Sequence, residues 1–322
     1  MDMDRFGGLV LIDKPAGYTS HDVVARVRRI LHTKHVGHAG TLDPMATGLL
    51  VLGVERGTRF LAHLSANTKA YDATIRLGVA TLTDDAEGEI TAVAAAPDLA
   101  ALTAGSDTEV AARIESALNE FRGEIQQRPS AVSAIKVKGQ RAYARVRAGE
   151  DVELPARPVT VFTLTATAVR RATNQPAPNT ADVPVIDVDV HVECSSGTYI
   201  RAIARDLGEL LHVGGHLTSL RRTSVGAYQV ANAVSLEELE RTPQVSLPLD
   251  QAILTSFPSL AVTADEAAAL SHGKRLPGRI DTGVHAAVDP NGHVIALIAP
   301  VAEHNPQAGM KTVFVARPST LT

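Results

Sequence analysis

The chain has 322 residues, 45% of them hydrophobic and 20% charged, which excludes disorder over most of its length and predicts about two globular domains. Lys and Arg total 31 against 35 Asp and Glu, a net charge of −4, so a polyanionic partner has to be met by a local basic patch and not by the protein as a whole. A single cysteine, Cys194, excludes an intramolecular disulfide framework and any zinc site needing several thiolates, and fits a reducing, cytoplasmic setting.

The opening MDMDRFGG has two aspartates and no apolar h-region, and nowhere do eighteen uncharged apolar residues run together. Neither a signal peptide nor a membrane span is expected. Gly8–Ile12 predicts a buried strand, stopped by the turn Asp13-Lys14-Pro15-Ala16-Gly17. Thr19 or Ser20 then caps a helix with Val23, Val24, Val27, Ile30 and Leu31 inward and Arg26, Arg28 and Arg29 outward. Three glycines, one proline and two threonines in residues 36–48 forbid a long regular element, and the apolar run Leu49–Val54 follows at once. Tyr71, Ala73, Ile75 and Leu77 alternate with Asp72, Thr74 and Arg76, a strand with one dry face.

Residues 84–89, with Asp84, Asp85, Glu87 and Glu89 around Gly88, read as a surface turn, and 91–108 as a loop without a clear period. Val110, Ile114, Ala117, Leu118 and Phe121 predict an amphipathic helix capped by Asp107 or Thr108. Residues 171–184 read as a flexible insertion. The next strand sets Ile186, Val188, Val190 and Val192 against Asp187, Asp189 and His191, and Ser195-Ser196-Gly197 leads to a helix burying Ile200, Ile203, Ala204, Leu207, Leu210 and Leu211. Strands and helices mix without a strict βαβ rhythm, which predicts an α+β fold: a mixed, largely antiparallel sheet flanked by helices. After about residue 240 the prolines 243, 248 and 258 break the chain, so a large domain at 1–251 is followed by a small β-rich one at 252–322. There Thr263 and Glu266 have capping-box spacing, and Asp289-Pro290-Asn291-Gly292 joins two strands in a hairpin.

Asp43 is the first candidate for chemistry. Pro44 keeps its backbone extended, and the glycines nearby allow a ligand to come close, although on spacing alone such a turn is ordinary. Basic residues gather in three places: Arg26, Arg28, Arg29 and Lys34 with histidines 32, 35 and 38; Lys136, Lys138, Arg141, Arg145 and Arg147 around Tyr143; and Arg221-Arg222. Brought together they would make the positive groove that a phosphate backbone requires; taken singly, each is an ordinary solvated face. The histidine trio drifts around a helix, and His191 with Cys194 lacks further ligands, so no metal site is expected. Neither a nucleoside triphosphate motif nor a dinucleotide motif is present, nor a G-x-S-x-G elbow.

Five segments in this order, GLVLIDKPAGYTSHDVV, VGHAGTLDPMATGLL, KAYDATIRLG, SAIKVKGQRAY and CSSGTYIRAIARDLG, resemble the TruB-type tRNA pseudouridine synthases from about residue 8 to 228. The resemblance implies a pseudouridine-synthase-like catalytic domain that converts uridine 55 in the T-loop of tRNA to pseudouridine, without a cofactor. It makes Asp43 the essential carboxylate. Tyr71 would stack on the target base and assist removal of its C5 proton. Tyr199 and Arg201 would line the pocket, the guanidinium paired with Asp43; His38 would contact the rearranged T-loop and Leu220 would pack beside the base. The last domain resembles the small PUA-like RNA-binding modules. The implied partner is the tRNA T-arm, with no membrane, no nucleotide cofactor and the protein a monomer. Where many relatives read Pro-Pro-x-Tyr-Ser-Ala, this chain has Pro129-Ser130-Ala131-Val132-Ser133-Ala134, so stacking by that aromatic does not carry over. Two competing readings are a tRNA-binding or tRNA-folding module in which Asp43 is structural, and a phosphoryl-accepting hydrolase, which would want magnesium-binding carboxylates.

Overall fold

The structure is a computed structural model, described here for residues 6–64, 68–130, 136–137, 140–141, 154–175 and 182–319. In chain order its principal elements are strand β1 (Gly8–Lys14), helix α1 (Ser20–Ile30), and strands β2 (Val36–Ala39) and β3 (Thr47–Val54). Strands β4 (Lys69–Leu77), β5 (Val79–Thr81) and β6 (Ile90–Val93) follow, then helices α2 (Ala96–Thr103) and α3 (Asp107–Leu118). Next come strands β7 (Gly123–Gln127), β8 (Arg157–Asn174) and β9 (Val183–Cys194), helix α4 (Ile200–Leu210) and strand β10 (Gly215–Val225). The remainder is helix α5 (Leu236–Arg241), strand β11 (Leu247–Pro248), helix α6 (Leu249–Ser256), strand β12 (Ser259–Ala261), helix α7 (Ala264–Ser271) and strands β13 (His285–Val288), β14 (Val294–Pro300) and β15 (Met310–Val315). The fold is α+β. Among the described residues no helix is long and apolar enough to cross a membrane.

The chain divides into two compact units, one of residues 1–44, 48–65 and 225–322 and the other of 45–47 and 66–224. In the first, β1 lies between β11 and β3, antiparallel to both, and β2 adds to β3 with His38 opposite Leu52. Its first strand outruns the sequence reading. The expected turn begins at Asp13, but pairing continues to Lys14 opposite Gly48. Thr19 is the cap of α1, accepting from the Asp22 N–H at 3.1 Å while the Asp22 carboxylate accepts from the Thr19 N–H at 2.9 Å. Val23, Val24 and Val27 are its buried face.

The last segment of this unit builds a four-stranded sheet in the order β12-β13-β14-β15, with β12 parallel to β13 and the other pairs antiparallel. The Asp289–Gly292 hairpin and the Thr263 capping box form as the sequence predicts. One apolar cluster, including Val262, Leu270, Ala296 and Met310, belongs wholly to this segment. A second joins its Leu297 and Phe314 to Phe6, Leu9, Phe60 and Leu249. Arg56 Nε donates to the Ala316 carbonyl at 2.9 Å, and the Arg317 guanidinium lies 4.3 Å from the centre of the Phe6 ring.

In the second unit the strand order is β10-β4-β9-β8-β7. Tyr71, Ala73, Ile75 and Leu77 of β4 and Ile186, Val188, Val190 and Val192 of β9 all point into the core. The opposite face fixes the register by cross-strand pairs: Arg76 grips Asp187 with two 2.8 Å bonds, Thr74 donates to Asp189 at 2.8 Å, and His191 Nδ1 lies 2.7 Å from Asp72. Three expectations are corrected here. Residues 171–174 and 183–184 belong to β8 and β9 and not to a flexible insertion, of which 176–181 lie outside the described residues. The stretch 91–108 contains strand β6 and helix α2, started by Pro97 in its first turn. Helix α3 is capped by Ser106, one residue earlier than expected, because its hydroxyl and Glu109 close a capping box.

Candidate active site

Asp43 sits half-buried in the loop between β2 and β3, and the residues on both sides of it are anchored. Ser20, buried in the first turn of α1, ties Leu42 twice: its hydroxyl accepts from the Leu42 N–H at 2.9 Å and donates to the Leu42 carbonyl at 3.1 Å. On the other side the Pro44 carbonyl accepts from the Gly17 N–H at 2.9 Å and from Lys14 Nζ at 3.1 Å. Lys14 is fully buried, and its ammonium also donates to the carbonyls of Pro15 at 3.0 Å and Tyr18 at 2.6 Å. Three carbonyls match the three N–H donors of an ammonium, which is how a lysine is accommodated inside. Gly17 and Gly40, at φ +82° and +80°, supply the left-handed backbone that lets these two turns approach. The aspartate is thus carried on a main chain pinned one residue before and one residue after it.

His38, on β2, is partly buried, with its ring 5.6 Å from that of His21 at an interplanar angle of 80°. The other histidines of the sequence trio serve elsewhere: His35 Nδ1 lies 2.8 Å from Glu55, and His32 is exposed with φ +52°.

The remaining candidates lie in the second unit. Tyr71 is buried on β4 opposite Val192, and Leu220 is buried on β10. Tyr199 is the residue before α4, half-buried, and its backbone is gripped by the buried amide of Gln127: Oε1 accepts from the Tyr199 N–H at 2.8 Å and Nε2 donates to its carbonyl at 3.0 Å. Arg201, in the first turn of α4, is buried. Its Nη1 lies 3.2 Å from Asp85 Oδ2 and donates to the Thr83 carbonyl at 2.8 Å.

The acidic turn is where the sequence reading fails. Residues 84–89 are expected on the surface, yet Asp84 and Asp85 are 8% and 3% exposed. Asp84 takes the left-handed conformation at φ +59°, accepts a short hydrogen bond from the Ser130 hydroxyl, and lies 3.3 Å from Arg205 Nη1. Burial pushes its carboxyl above the ordinary carboxylate range, opposed by the Ser130 bond and by Arg205 and Arg201. Ser130 is thus the acid's partner in the segment that departs from the relatives' pattern, of which 131–134 lie outside the described residues. Elsewhere in this unit, Lys69 Nζ donates to Ser196 Oγ at 3.1 Å. Burial, then the neighbouring Arg222, lowers its ammonium pKa. Cys194 beside it is pushed up to about 11 by burial, an inert thiol.

The basic clusters are not plain solvated faces. Arg26 pairs with Glu240 at 2.9 Å and Glu237 at 3.4 Å, Arg28 donates to the Val36 carbonyl at 2.8 Å, and Arg222 is fully buried. Arg29 and Lys34 are exposed. Of the middle cluster, Lys138, Tyr143, Arg145 and Arg147 lie outside the described residues, and Lys136 and Arg141 pair across a two-residue ladder.

Asp43 and His38 therefore belong to one unit and Tyr71, Tyr199, Arg201 and Leu220 to the other. Sequence reasoning missed Lys14, Ser20, Gln127 and Asp85. Lys14 and Ser20 carried one available signal, a lysine closing an apolar run and a serine beside a helix cap, but Pro44 is 30 residues from Lys14 and Leu42 is 22 from Ser20.

The chain is similar to known proteins along nearly all of its length. Residues 28–200 match the model of the TruB family pseudouridylate synthase N-terminal domain, 201–254 that of a tRNA pseudouridylate synthase B C-terminal domain, and 257–317 that of tRNA pseudouridine synthase II, C terminal. The tRNA pseudouridine synthase B of Corynebacterium diphtheriae is 57% identical over 98% of this chain and 97% of its own. That of Rhodococcus jostii is 53% identical over 98% and 95%. Among solved structures, a chain of the "Crystal Structure of a Cbf5-Nop10-Gar1 Complex" shares the fold, with a TM-score of 0.69 at 23% identity over 99% of this chain and 88% of that one. On a family model spanning more than half its length and relatives more than half identical from end to end, the chain belongs to the TruB family of pseudouridylate synthases.

Proposed function

We propose that the protein isomerises uridine to pseudouridine in tRNA, acting on position 55 of the T-loop with Asp43 as the essential carboxylate. The observation that carries the reading is the loop G-T-L-D-P held at Leu42 by α1 and at Pro44 by the end of β1, which fixes the main chain on both sides of one carboxylate. The reaction breaks the bond between C1′ and N1, turns the uracil and joins C1′ to C5. C5 loses a proton and N1 gains one, so the change is neutral in charge and in redox state and draws on no cofactor. The target base is stacked in its loop and has to be extruded, at a cost of roughly a few kcal/mol that aromatic stacking and backbone contacts offset.

Tyr71 is the proposed stacking platform, with its hydroxyl assisting loss of the C5 proton, and Leu220 packs beside the base. Tyr199, held by Gln127, lines the pocket. Arg201 favours the charged form of Asp43, which has to be ionised whether it attacks C1′, adds to C6 or removes a ribose proton. His38 meets the rearranged T-loop, and Arg29 and Lys34 contribute phosphate contacts. The segment 252–322 acts as a PUA-like RNA-binding unit, and the protein works in the cytoplasm as a monomer. Incubating an isolated T-arm stem-loop with the protein and with Asp43→Asn, followed by chemical detection of pseudouridine, tests the reading. Product from the wild type alone is expected, and equal product from both would overturn the role of Asp43.

A further inference from the structure

We propose that His21 is a positioning residue for RNA recognition: its ring holds the His38 ring in the plane in which His38 meets the T-loop. The inference rests on the reading of His38 given above, and its support is local. Ser20 precedes His21, and its hydroxyl is locked to both the N–H and the carbonyl of Leu42. On the other side of His21, Asp22 closes the capping box with Thr19. The first turn of α1 is therefore fixed from two directions, and His21 alone of its residues 20–22 has no backbone-directed task in those bonds. It is exposed, and it stands edge-on to His38 at 5.6 Å and 80°, the T-shaped arrangement that aromatic rings prefer.

The contact reaches His38 at a tight place in the chain. The histidine stands on a four-residue strand between Gly37 and Ala39, with Gly40 turning the chain immediately afterwards. A ring already held in its binding plane loses less affinity to ordering when RNA arrives. Because α1 is tied to the same loop that carries Asp43, the His21 edge sets the His38 plane in the frame of the reacting carboxylate.

The test uses the full-length chain with a fluorescent T-arm stem-loop, reading Kd by anisotropy and KM and rate by single-turnover product formation, for His21→Ala, His21→Phe, His38→Ala and the double alanine variant. His21→Ala is expected to weaken binding by about 2- to 10-fold, with the loss in Kd and KM larger than that in the rate at saturating RNA. His21→Phe, which keeps a ring edge, restores most of it, and His21→Ala adds nothing on top of His38→Ala. An unchanged Kd in His21→Ala, a phenylalanine as poor as alanine, or a full effect persisting without His38 would each overturn the proposal. A wild type that binds the stem-loop but makes no pseudouridine would overturn the isomerase reading, while the anisotropy series still decides the histidine pair. A wild type that does not bind would overturn both.

Discussion

The turn that carries Asp43 and the turn that carries Asp84 and Asp85 are both short, polar and marked by glycine, and they show two kinds of anchor. Around Asp43 it is the backbone that is gripped, at Leu42 by Ser20 and at Pro44 by Lys14 and Gly17, with the aspartate itself half-buried. In the second turn the side chains are gripped, Asp84 by Ser130 and Arg205 and Asp85 by Arg201, and both are buried. Bonds to the main chain on either side fix where a carboxylate starts from without drawing on its oxygens. A carboxylate meant to place something else is best consumed by its partners.

That contrast gives its own tests. The largest effect is expected at Asp43: the asparagine variant loses at least about 10³-fold in product formation while its thermal melting follows the wild type, and a large loss of stability instead would put Asp43 with the second kind of turn. Next is Arg201→Ala, which takes the guanidinium from the buried Asp85 and leaves it the Thr83 hydroxyl and the Glu87 N–H; it is expected to cost about 3 kcal/mol in a urea denaturation. A wild-type midpoint would mean that this turn is not held by its side chains. Ser20→Ala leaves the Leu42 N–H without its acceptor, a loss of about 1–3 kcal/mol accompanied by slower chemistry at temperatures where the variant is fully folded. Unslowed chemistry there would separate the loop anchor from the reaction.

The smallest effect is a pH slope. His216 Nδ1 lies 2.8 Å from the Val79 carbonyl, and burial lowers its imidazole below the ordinary 6.5. The unfolded chain therefore takes up a proton near pH 6.5 that the folded one refuses, so stability falls as pH drops below that value, by at most about 1.4 kcal/mol per unit for this group. His63, also lowered by burial, adds in the same direction. His216→Gln is expected to flatten the slope, and an unaltered slope would assign it elsewhere.

The sequence reading succeeds where a rule is local. Alternation in β4 and β9, the Thr263 capping box and the Asp289–Gly292 hairpin are all decided within a few residues, and each forms as predicted. Failure comes where partners are distant. An acidic, glycine-bearing stretch looks solvated until Arg201, 118 residues from Thr83, closes over it. Lys14 looks like the end of a strand because three backbone carbonyls, one of them thirty residues away, are invisible in the pattern. For the site, Asp43 is marked by its motif and by the resemblance together, whereas the anchors that fix it leave only faint traces in the residue order.

The apolar cluster shared by Phe6, Leu9, Phe60 and Leu249 with Leu297 and Phe314 has a consequence for dissecting the molecule. Cutting at residue 251 would strip the first strand and the Phe60 ring of their cover and leave Arg56 without the carbonyls of Val315 and Ala316. Such a fragment is expected to aggregate on expression, so the contribution of the last seventy residues to RNA affinity is better measured by surface charge reversals on the intact chain than by deletion.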